Sequence, residues 1–235
     1  MPHALFVLAH QDDEIAFAPR MRHLLRGGWE LSVAYLTNGI RPEVRDDEAR
    51  AALACIGVDL ARVRFFGFPD GSLLDHLEEA LALLQPIADV HEVYCLAWEG
   101  GHQDHDASHL VAVAFAMQRK IPCFELPLYH GRGTPGQFFR SFSIFGDGWV
   151  GRRITWRENL DAMRLCRFHP SQRRTWLMLL PGMVMRRHEW MRPVSLDRLR
   201  AKPHAGRLYY ERRFNVSWEE FEAKSRSFVA ALLPS

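Results

Sequence analysis

Two short segments hold most of the side chains that could do chemistry together. The first is Ala9-His10-Gln11-Asp12-Asp13-Glu14, and the second is Gly100-Gly101-His102-Gln103-Asp104-His105. Two imidazoles and one carboxylate, with positions left open, suit a catalytic Zn²⁺. The same donors can hold Fe(II) or another divalent ion, so residue type alone does not choose the metal. A metal in such a site lowers the pKa of its bound water to about 7. A second carboxylate beside it could take the proton of that water. A further imidazole could donate to the oxygen that turns negative in a tetrahedral intermediate. Adjacent Asp12 and Asp13 fit poorly as fold residues, because like charges repel unless a cation or donors compensate. The plainer alternative is helix capping by Asp12, Asp13 or Asp106, and it would have to explain both segments at once.

Each segment follows an apolar run of strand length. Residues 4–9 (ALFVLA) and 93–98 (VYCLAW) read as strands buried on both faces. Further strands are expected at 31–36, 63–68 and 123–129, and another at 138–145. Helical spacing is found over residues 14–25, 43–56, 73–84, 106–118, 154–168 and 218–232, with glycine stops after the first two. Strands alternating with such helices imply an α/β fold of Rossmann-like, doubly wound type, a mainly parallel sheet with helices on both faces. In the common strand order of that fold the first and fourth strands are neighbours, and the crevice at their carboxyl ends is the topological switch point. Residues about ninety positions apart would then meet in one cleft.

With these residues in place, the sequence resembles the LmbE-like/PIG-L family of metal-dependent de-N-acetylases, which includes the N-acetylglucosaminyl-phosphatidylinositol, mycothiol-pathway and bacillithiol-pathway deacetylases. The resemblance runs from about residue 4 to 110 and weakens beyond. It implies that His10, Asp13 and His105 are the metal ligands, usually of zinc. It implies Asp12 as the general base, His102 as the protonated group that stabilises the oxyanion, and Asp104 as the residue that orients His102. Thr37-Asn38-Gly39, Arg45 with Glu48, Asp70-Gly71 and Ser171-Gln172 resemble further family segments. Of these, Arg45 and Asp70 are implied on the substrate side. Two departures stand out: Gln11 replaces the usual proline, which should loosen that turn, and Gly101 stands where some thiol-pathway members carry arginine.

The remaining composition narrows the class. The chain has 235 residues, 48 % of them hydrophobic and 25 % charged, and a formal net charge of +2. These are values of a globular protein rather than of a disordered or coiled-coil chain. No run approaches the ~18 apolar residues of a membrane span. The N-terminus meets two aspartates after a short apolar run, unlike a signal peptide, and the four cysteines form no CxxC pair. A cytoplasmic protein with reduced thiols is the expectation. Charge is uneven: over residues 151–213 sixteen Lys/Arg face five Asp/Glu. That basic stretch is expected to line the substrate side of one domain spanning 1–235, with a core at 1–130, and to favour an anionic group. Residues 176–185 (WLMLLPGMVM), flanked by arginine pairs, read as core or lid, or as an interfacial segment or wall for a lipid-linked substrate.

The sequence thus points to a zinc-dependent hydrolase removing acetyl from an N-acetylated sugar or conjugate, a small-molecule or glycoconjugate substrate. Its rivals are a phosphoesterase on the same metal cleft and a catalytically silent metal- or sugar-binding relative. No nucleic-acid partner is expected, since no recognition module is present. Homo-oligomerisation is left open.

Overall fold

The computed structural model describes residues 1–39 and 41–233. In chain order the elements are β1 (His3–Leu8), α1 (Glu14–Arg26), β2 (Glu30–Asn38), α2 (Pro42–Ile56), β3 (Val63–Pro69), α3 (Leu77–Leu84), β4 (Glu92–Leu96), α4 (Gln103–Arg119) and β5 (Cys123–Leu126). A small hairpin, β6 (Tyr129–His130) and β7 (Arg140–Ser141), comes next. Then follow β8 (Val150–Arg153), α5 (Trp156–Met163), α6 (Arg173–Met185), β9 (His188–Pro193), α7 (Tyr209–Arg213) and α8 (Trp218–Leu232).

The main sheet has the order β3-β2-β1-β4-β5-β9-β8. Its first five strands are parallel, and β9 and β8 are antiparallel additions at one edge. From β1 the chain builds outward first through β2 and β3, then returns to place β4 on the other side. The switch point therefore lies between β1 and β4. β1 is buried throughout, and its side chains alternate between two cores. Leu5 and Val7 face a core shared with α4 and α8, while Ala4, Phe6 and Leu8 face one shared with α1 and α2.

Several boundaries differ from the sequence reading for local reasons. β5 ends at Leu126, before Pro127, which lacks the N–H a ladder needs. The expected strand at 138–145 shrinks to β7, which pairs only with the two residues of β6. α4 begins at Gln103 because the imidazole of His102, an unusual N-cap, accepts the Asp104 N–H at 3.1 Å. The edge strands β8 and β9 have no alternating apolar pattern. They are held by the cross-strand pair Arg152 and Glu189, with Arg20 on the same buried carboxylate at 3.0 Å. Among the described residues no helix is long and apolar enough to cross a membrane.

Candidate metal and catalytic site

The bend after β1 and the N-terminus of α4 deliver their side chains to one point, as neighbouring parallel strands require. His10 Nδ1 lies 3.2 Å from His105 Nε2. Asp13 Oδ1 lies 3.4 Å from the same His105 nitrogen, and Asp13 Oδ2 is 3.9 Å from His10 Nδ1. Donors about 2.0–2.2 Å from a tetrahedrally bound ion are separated by roughly 3.3–3.6 Å, so this trio has the spacing of such a ligand set. His10, Asp13 and His105 could together hold a metal ion.

A second grouping shares His10. Its Nε2 donates to Asp70 Oδ1 at 3.1 Å and lies 3.4 Å from Asp104 Oδ2, with His102 close by. Asp104 is already committed, however: its two oxygens accept the N–H groups of Gly71 at 2.6 Å and Leu73 at 3.2 Å. The Asp104 side chain thus organises the turn after β3, and it is the Asp104 backbone N–H that holds His102.

Four carboxylates, from Asp12, Asp13, Asp70 and Asp104, surround these imidazoles. Burial alone would lower the pKa of His10. Hydrogen bonds with Asp104 and Asp70 and the charge of Asp13 overcome it and hold the imidazolium well above its ordinary value. Such surroundings stabilise positive charge at this spot, whether a proton or a metal carries it. Burial likewise opposes ionisation of Asp13, yet His105 and His10 hold its carboxyl down at about 2. Burial raises Asp12 to about 7, against the pull of Arg45. For His102, burial and the neighbouring His10 charge lower the pKa to about 3. With Nδ1 accepting from Asp104, neutral His102 keeps its proton on Nε2. This differs from the imidazolium that the family resemblance implies.

The main chain at Asp12 has φ 125°, a region that costs strain for a residue with a Cβ. Its surroundings are correspondingly firm. Arg45 Nη2 donates to the Gln11 carbonyl at 2.7 Å and lies 3.5 Å from Asp12 Oδ1. Glu14, fully buried, accepts the Asp12 N–H at 3.0 Å, the Tyr35 hydroxyl at 2.7 Å and a bond from His169 Nε2. Gln11, expected to loosen the turn, instead ties it down. Its amide donates to Asn38 Oδ1 at 2.7 Å and Asp46 Oδ1 at 2.9 Å. Thr37 Oγ1 donates to the Ala9 carbonyl at 2.7 Å. Glu48 receives the Ser171 N–H at 3.0 Å and its hydroxyl, so the segments noted around Arg45 and Ser171 meet.

Gly101 shows why a side chain is absent beside His102: a Cβ there would lie 2.3 Å from the Tyr129 carbonyl oxygen. An arginine cannot occupy this position without moving β6.

A cleft of about 190 Å³ opens over this floor, and Asp12, Arg45, Asp70 and His102 are among the residues that line it. Asp70 is 44 % exposed at the mouth, whereas Arg45 is buried and spent on Asp12 and Gln11. The C-terminal part supplies Gln172, Thr175, Trp176, Leu179, Met183 and Phe214 to the walls, and none of its arginines. The basic stretch thus contributes to the cleft through apolar and uncharged side chains, where its arginines were expected. Much of that charge is used internally: Arg192 and Arg198 pair with Glu125, Arg152 with Glu189, and Arg186 donates to the Ala16 carbonyl. Sequence reasoning missed Tyr129 and Phe214, whose rings lie 5.3 Å from His105 and 4.3 Å from His102. It also assigned no role to the buried Glu14–His169 pair, although Glu14 stood within the first quoted segment and His169 two residues before Ser171.

Residues 5–116 match the family model described as PIG-L: GlcNAc-PI de-N-acetylase. No curated protein matches the chain significantly. Among solved structures, a deacetylase of the teicoplanin biosynthesis pathway is similar with a TM-score of 0.63 at 14 % identity, over 82 % of this chain and 98 % of that one. The N,N′-diacetylchitobiose deacetylase of Pyrococcus horikoshii follows at 0.59 and 14 %, over 86 % and 87 %. The 4-carboxy-2-hydroxymuconate hydratase of Pseudomonas putida gives 0.56 and 16 %, over 83 % and 97 %. At these identities the likeness is one of fold, and a hydratase among them shows that this fold does not by itself fix the chemistry. Residues 5–116, which contain both His-Asp segments, are the part of the chain that matches the PIG-L (LmbE-like) deacetylase family.

Proposed function

We propose that the protein is a metal-dependent N-deacetylase, built as one domain and using zinc, that hydrolyses an N-acetylated sugar or sugar conjugate. The observation that carries this reading is the meeting of His10, Asp13 and His105 beside Asp12 and His102 at the floor of one cleft. A zinc ion held by those three would supply a water of lowered pKa and polarise the amide carbonyl. Asp12, with a pKa near neutrality, takes the proton of the attacking water. His102 donates its Nε2 proton as a hydrogen bond to the oxygen that gains charge. Arg45 fixes the bend that carries Asp12, and Asp70 at the mouth accepts from sugar hydroxyls. As the C–N bond breaks, protonated Asp12 returns its proton to the amine, leaving acetate and a free amino sugar.

The wall points to a substrate with an apolar group, lipid-linked or aromatic, more than to an anionic one. Trp176, Leu179, Met183 and Phe214 offer it apolar surface, whereas the one guanidinium lining the cleft is already engaged. A two-metal phosphoesterase is favoured only by the His10–Asp70–His102–Asp104 grouping, and the backbone bonds on Asp104 weigh against it. The test is to incubate zinc-loaded protein with N-acetylglucosamine and with its alkyl and aryl glycosides, reading acetate and free amine. Release of both, faster with the apolar aglycone, is the expected result. Hydrolysis of a phosphate ester with no acetate from any N-acetyl sugar would replace this reading.

A further inference from the structure

Helix α6 is apolar on two sides. Its Trp176, Leu179 and Met183 face the cleft. Away from it, Leu177, Met178, Val184 and Met185 are 46, 55, 40 and 70 % exposed, and Pro181 is exposed among them. Positions 177, 178, 181, 184 and 185 recur at three- and four-residue spacing and so form one stripe along the helix. Exposed Arg173 and Arg174 stand one turn before the stripe, and exposed Arg187 follows its end. Between Asp161 and Glu189 the sequence holds six arginines and no acidic residue. Of the six, Arg186 is buried, and the other five are exposed. Single exposed apolar side chains are ordinary; a contiguous apolar stripe rimmed by one sign of charge marks an interaction surface.

We propose that this outer face of α6 seats on an anionic lipid bilayer, with the helix axis in the plane of the interface. Two features select that occupant. The apolar stripe supplies surface to bury among acyl chains at the headgroup boundary, and the arginines at both ends match anionic headgroups. A second copy of the chain fits less well. Pairing the stripe with itself would gather arginines from both copies, and the segment has no carboxylate to meet them. Because the inner face of the same helix walls the cleft, seating α6 brings that wall to the interface. The inference goes beyond the deacetylase reading and does not depend on it, since lipid binding is read without turnover.

The test is sedimentation of the full-length protein with vesicles of phosphatidylcholine alone and of phosphatidylcholine with one third phosphatidylglycerol. Binding to the anionic vesicles alone, weakened by high salt, is expected. Two variants that touch different exposed side chains, Arg173→Glu with Arg174→Glu and Met178→Ser with Met185→Ser, should each lower partitioning by about tenfold or more. Both should keep the far-ultraviolet spectrum of the parent. Equal partitioning to neutral and anionic vesicles, or none to either, overturns the proposal, as does a loss shown by neither variant. A dimer in sedimentation velocity that the methionine variant dissociates would assign the face to a second copy and overturn it equally.

Discussion

On the floor of the cleft many polar groups are held by one another: Arg45 on Gln11 and Asp12, Glu14 between Tyr35 and His169, Asp104 on the Gly71 and Leu73 amides. On the α6 wall the side chains of Trp176, Leu179 and Met183 offer shape and apolar area, with one side-chain hydrogen bond among them, from Trp176 Nε1 to the His169 carbonyl at 3.3 Å. The floor tolerates little change, because removing one partner strands a buried polar group at a cost of about 1–3 kcal/mol. The wall can exchange side chains of similar volume at lower cost. Chemistry should therefore reside in the floor and substrate choice in the wall, and the two should respond differently to substitution.

The largest expected effect comes from removing a ligand. Asp13→Ala should lose bound metal in elemental analysis and fall to background acetate release. Next, Asp12→Asn should keep the metal while kcat drops by about 10²–10⁴-fold, the range for a lost general base. Loss of metal in that variant would assign Asp12 to coordination and blur the division. Arg45→Met, one layer out, should cost about 10–100-fold in kcat with little change in KM. Crossing to the wall, Trp176→Ala should raise KM for an apolar glycoside by about fivefold to fiftyfold, from lost apolar contact. It should spare kcat and barely affect plain N-acetylglucosamine; equal losses on both substrates would place Trp176 with the floor. The smallest effect belongs to the outside of α6, where Leu177→Ser should change unfolding free energy by no more than about 0.5 kcal/mol in urea. Phe17→Ala, in the core under β1, should cost about 3–5 kcal/mol.

The same division decided what could be read from the chain. β1 and β4 are continuous apolar runs, and the His-Asp segments follow them directly, so the strand order placed His10 beside His105. Asp70 lay within reach because a turn signal followed β3. The use of Asp104 was hidden, since its oxygens serve backbone amides in a distant turn, and nothing in HQDH says so. Gln11 looked like a weakened turn because its partners Asn38 and Asp46 are far off in sequence. Beyond residue 130 the edge strands rest on buried ion pairs rather than alternation, and periodicity is blind to those. The arginines there looked available to a substrate. Glu125, Glu189 and main-chain carbonyls take up several of them, and an apolar helix forms the wall in their place.

Anomalous diffraction at the zinc edge, from crystals of the zinc-loaded protein, tests the central claim most directly. The account predicts one peak per chain, about 2.0–2.2 Å from a nitrogen of His10, a nitrogen of His105 and an oxygen of Asp13. A peak lodged instead among Asp70, His102 and Asp104, or no peak at either grouping, would contradict it.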